Sequence, residues 1–89
     1  MPIEWQEGRM VGATGQGMRL TFEPMPQEGV EALRMLRNGG YVGVLWFAPY
    51  SINAELQVHG QRKVLDGFDD AEDLVAQVLE LVAALEPLH

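Results

Sequence analysis

No cysteine occurs anywhere in the 89 residues, and that absence constrains the chain more than any motif in it. A domain this small buries only ~60–65% of the surface its unfolded chain exposes. Without disulfides or thiolate-bound metal, one hydrophobic core, helped at most by oligomerisation, must carry the fold. The composition can supply such a core: 47% of the residues are apolar and 21% charged, the balance of a folded domain rather than a disordered segment. A single small α+β domain over residues 1–89 is expected. No run reaches the ~18–20 apolar residues of a membrane span, and the opening Met-Pro-Ile-Glu-Trp has no basic start followed by an apolar stretch. The expectation is a cytoplasmic protein without membrane association.

The net charge of −7 is unevenly placed. Residues 1–65 hold Glu4, Glu7, Glu23, Glu28, Glu31 and Glu55 against five arginines and Lys63, and so balance. Residues 66–89 hold Asp66, Asp69, Asp70, Glu72, Asp73, Glu80 and Glu86 with no Lys or Arg. Nucleic-acid binding draws its affinity from clustered bases that neutralise phosphates. This chain offers the reverse, and direct nucleic-acid binding is not expected.

Glu4–Pro24 reads as a hairpin, with Met10-Val11 on one arm, Met18–Glu23 on the other and the turn at Gly15-Gln16-Gly17. Between 27 and 38, Val30, Ala32, Leu33, Met35 and Leu36 fall on one side at helical spacing, and Asn38-Gly39-Gly40 suits a helix stop. Tyr41–Ala48 is apolar on both faces, as a central strand would be. Ile52, Ala54, Leu56 and Val58 alternate with Asn53, Glu55, Gln57 and His59, giving a dry and a wet face. Gly60-Gln61 reads as a turn into a strand over Arg62–Asp66. There, strict alternation turns Lys63 and Leu65 inward, whereas a bulge would turn Val64 inward; both are open. A second helix is expected over 70–86, capped through Asp69 with Glu72 or Asp70 with Asp73, its inner face formed by Ala71, Leu74, Val75, Val78, Leu79, Val82 and Leu85.

The expected order is β-β-α-β-β-β-α: a two-layer sandwich with a mostly antiparallel sheet of about five strands and two helices on one face. Its core should include Leu36, Val44, Trp46, Leu56, Val58, Leu74, Val78 and Val82. The last five elements follow the order of double-stranded-RNA-binding domains, and the final β-β-β-α part is similar to small DNA-binding modules of phage integrases. The bases such domains place on phosphate are missing here, so the order carries no function across.

Chemistry-bearing motifs are few. Gly12-Ala13-Thr14-Gly15-Gln16-Gly17 resembles the Gly-Ala-Thr-Gly-x-x-Gly loop of atypical dehydrogenase-like NADP binders. Met18 stands where that pattern has its third glycine, and a strand rather than a helix follows, so a hairpin turn is the reading. Ser51, His59 and Asp66 can be drawn as a triad, but no pocket or oxyanion hole accompanies them in the sequence. Acids in a first helical turn are expected from the helix dipole, and Asp66–Asp73 lacks the spacing of a calcium loop. No catalytic residue, cofactor or metal ligand is assigned. Leu74, Val78, Leu81, Leu85 and Leu88 keep a 4-3-4-3 spacing, read as a broad core stripe or as a dimer surface.

These features point to a small, acidic, non-enzymatic binding protein acting on a larger partner with a basic surface. Inhibitors that occupy a nucleic-acid-binding surface, including phage counter-defence (anti-CRISPR) proteins, share this size and charge. The partner-binding residues expected are Asp69, Asp70, Glu72, Asp73 and Glu80, with Glu55 and Tyr50. A homodimeric structural or assembly module, such as an accessory subunit, secretion chaperone or phage particle component, is the alternative.

Overall fold

A computed structural model describes residues 2–26 and 31–85. Seven strands, β1 (Ile3–Gln6), β2 (Arg9–Gly15), β3 (Met18–Met25), β4 (Glu31–Arg37), β5 (Gly40–Phe47), β6 (Ile52–Val58) and β7 (Gln61–Phe68), precede one helix, α1 (Ala71–Leu85). The strands form one sheet in chain order, each antiparallel to the next. The expected sandwich of about five strands and two helices is therefore corrected to seven strands and one helix. The start of the expected first helix, from Gln27 to Val30, and the expected positions of Glu86 and Leu88 lie outside the described residues.

Turn chemistry explains the meander. Glu7-Gly8, Gln16-Gly17, Asn38-Gly39 and His59-Gly60 each join two strands with positive φ at both positions, 50–53° at the first residue and 73–81° at the glycine. That is the signature of the type I′ turn, whose twist matches paired strands. The expected turn at Gly60-Gln61 is thus shifted one residue back, with glycine second. Asn38-Gly39 is a hairpin turn, not a helix stop.

The segment read as the first helix is β4. Its residues do sit at helical spacing, but Leu33 and Met35 also alternate with Ala32, Arg34 and Leu36. As a strand it bonds to β3 and β5 on both sides, and pairing of that kind overrides local propensity.

Helix α1 covers one face of the sheet and lies closest to β2, β6 and β7. Those strands lie toward opposite ends of the sheet, so the sheet curls around the helix. Leu74, Val75, Val78, Leu79 and Val82 are buried against Met10, Ala13, Leu20, Met35, Leu45 and Leu56. At Gly15 a Cβ would stand 2.9 Å from Leu79 Cδ1, so the helix passes close over β2. Leu81 and Leu85 also pack on this core, which gives the 4-3-4-3 stripe a core role. Among the expected core members, Leu56, Val58, Leu74, Val78 and Val82 are buried. Leu36, Val44 and Trp46 are corrected: they stand on the outer face and are only partly buried. The helical reading of β4 places Leu36 inward; Val44 and Trp46 belong to a strand apolar on both faces, and its pairing with β6 turns Leu45 rather than Val44 and Trp46 toward α1.

Both sheet edges are blunted. The β1 edge is four residues long with a register shift between Glu4 and Trp5. In β7 strict alternation holds, pairing Lys63 with Leu56 and Leu65 with Ala54, while Val64 faces outward, 51% exposed. A lysine on the covered side of an edge strand obstructs edge-to-edge pairing.

Candidate functional site

The acidic end of the molecule is built where β7 hands over to α1. The Asp70 carboxylate accepts a hydrogen bond from the Glu72 amide at 3.0 Å, and the Asp70 carbonyl accepts one from the Leu74 amide at 3.2 Å. Asp70 is therefore the helix N-cap. Asp69 is exposed and one residue too early to cap. Asp70 caps, as the second expected pair has it, but its carboxylate takes the Glu72 amide, and among the described residues no bond joins it to Asp73. Asp70→Ala should lower stability by about 0.5–2 kcal/mol, and Asp69→Ala should leave thermal melting within a fraction of that. Equal losses would show that the cap is misplaced.

The neighbouring acids differ in their surroundings. Glu72 is half-buried; Asp66, Asp73 and Glu80 are exposed. Among the described residues none of Asp66, Asp69, Asp73 and Glu80 takes part in an ion pair. The arginines of the sheet face are matched to its own glutamates instead: Arg19 to Glu4 at 2.8 Å, Arg34 to Glu23 at 3.6 Å and Arg62 to Glu55 at 2.7 Å. Hydrogen bonds from Arg19 and Arg62 hold the carboxyls of Glu4 and Glu55 below the usual carboxylate value of 4.5. These pairs belong to the outer sheet face. The uncompensated charge lies at α1.

Tyr50 joins the acidic end. It projects from the β5–β6 turn, 95% exposed, and lines a cleft of about 270 Å³ with Ser51, Phe68 and Asp69. The structure thus brings Tyr50 beside Asp69 and the start of α1, with Asp73 and Glu80 further along the exposed helix surface. Glu55 is separated from this group: it stands on the outer face, bonded twice to Arg62.

Asn53, expected on a wet face, is 6% exposed. Its carbonyl oxygen accepts the Gly67 amide at 2.9 Å, and its amide donates to Ser51 Oγ at 3.2 Å. It fixes the irregular end of β7. Ser51 and His59 flank β6 at opposite ends, ~26 Å apart at the rise of a strand, so Ser51, His59 and Asp66 are not assembled into a triad. Among the described residues no three His, Asp or Glu side chains converge as metal ligands, and no described helix is long and apolar enough to cross a membrane.

Sequence reasoning missed the outer-face residues Arg34, Tyr41 and Val64 as a group. The signal was present in Asn38-Gly39, since Asn-Gly between apolar runs marks a hairpin and would have placed Arg34 and Tyr41 on neighbouring strands. Comparison of the chain with protein-family models, with curated proteins and with solved structures found no match in any of the three.

Proposed function

We propose that the protein is a cytoplasmic, non-enzymatic binding module that sets Tyr50 and the acidic start of α1 against a basic surface of a larger protein. The observation that supports this reading is the 95% exposure of Tyr50 beside Asp69, next to acids that have no cation partner among the described residues. A tyrosine gives a partner a large, amphipathic anchor at low entropy cost, and the surrounding carboxylates steer a basic surface toward it. Basic surfaces of this kind are common on proteins that handle nucleic acid. The narrower form of the proposal is an inhibitor covering such a surface, as counter-defence proteins do.

The test is a titration of isotope-labelled protein with an arginine-rich peptide, followed by amide chemical shifts. The expected shifts cluster at Tyr50, Asp69, Asp73 and Glu80, Tyr50→Ala weakens binding ~tenfold or more, and Asp73→Lys with Glu80→Lys weakens it while melting stays nearly unchanged. Binding should fall as salt screens the charges. Shifts spread over the sheet, or unchanged affinity in these variants, would contradict the reading.

A further inference from the structure

Among the described residues no element covers the sheet face turned away from α1, and its register is self-complementary. One row across it places Glu23, Arg34, Val44, Glu55 and Val64 side by side on β3 to β7. Tyr41 and Trp46 flank Val44 along β5 on the same face. Tyr41 is 49% exposed, and Val44 and Trp46 are half-buried. An apolar column thus runs along β5, with a cation on the strand to one side of Val44 and an anion on the strand to the other.

We infer that this face is covered by a second copy of the chain, related by a two-fold axis running along β5. Such an axis keeps each row at its height and exchanges its two sides. Val44 stacks on the axis, β4 of one copy lies over β6 of the other, and Arg34 faces Glu55 of the partner subunit. The two-fold makes this happen twice. Each internal pair is extended rather than broken: Glu23–Arg34 on one copy continues into Glu55–Arg62 of the partner subunit, with signs alternating throughout. Stacked sheets pack ~10 Å apart and cross at ~30°, which moves groups one strand from the axis by only roughly 2–3 Å. The blunted edges direct association to the face. Because the sheet curls around α1, its outer face is convex and contact is confined to β4, β5 and β6. Three strands and three rows cover roughly 300 Å², well below the ~800 Å² per partner of a standard interface, so association belongs in the high-micromolar to millimolar range. The inference does not rest on the docking surface proposed above, which is built from the β5–β6 turn and α1.

Sedimentation equilibrium over micromolar to millimolar concentrations provides the test, with circular dichroism to confirm that each variant is folded. The wild type should pass from 9.9 kDa to twice that mass. Arg34→Glu and Glu55→Arg should each weaken association at least tenfold, because each places like charges opposite one another. An equimolar mixture of the two variants should associate again. The glutamate introduced in one copy then meets the arginine introduced in the other across the axis, and the unchanged residues meet as before. A wild type that stays monomeric overturns the inference whatever the variants do. So do single variants that dimerise normally, or a mixture that remains monomeric.

Discussion

Gly43→Ala should cost about 3 kcal/mol or more, a large share of the stability of a domain this small. Gly43 sits in β5 beside the register shift in its pairing with β4. A Cβ there would collide with the Glu55 carbonyl oxygen and stand 3.0 Å from Leu56 Cα. Both are backbone atoms of β6, so no side-chain rotation can make room; β5 and β6 would have to separate, breaking ladder bonds in the middle of the sheet. Chemical denaturation should show the loss directly. A Gly43→Ala protein as stable as the wild type would mean that β5 and β6 do not approach as described.

Leu74→Ala should cost roughly 2–5 kcal/mol, the sum of lost burial and the cavity left behind. Leu74 is fully buried in the first turns of the only helix among the described residues, and the sheet curls around that helix from both ends, so neighbouring strands cannot collapse freely into the space. Val44→Ala, on the outer face, should cost clearly less in the same denaturation experiment. Equal losses would place Val44 in the main core after all.

Helix α1 could be read from the sequence almost to the residue, because its apolar positions, its capping acids and the following proline all indicate one structure. The alternation of β6 was legible for the same reason. Segment 31–37 was not, since its apolar residues satisfy both a helical and an alternating template. What decides between them is the presence of β3 and β5 on either side, which no local window contains. That misreading moved Leu36 into the core and hid the outer row of Arg34, Val44 and Glu55. Val44 and Trp46 were placed inward because β5 is apolar on both faces and its sequence does not say which of them α1 covers. At the acidic end, Asp70 followed from helix-capping chemistry, and the exposure of Asp73 and Glu80 from helical spacing. The adjacency of Tyr50 and Asp69 depends on the β5–β6 turn lying beside the start of α1, a tertiary fact. Glu55 was grouped with the helix acids by charge, although its strand places it on the opposite face, against Arg62.

The central claim is that seven strands wrap one helix, with Glu31–Arg37 as the middle strand. Backbone nuclear magnetic resonance tests it most directly. The fold predicts strand-type Cα and Cβ shifts over Glu31–Arg37, with cross-strand contacts from Met35 to both Phe22 and Gly43. Helical shifts over the same residues, with contacts three residues apart along the chain, would contradict it.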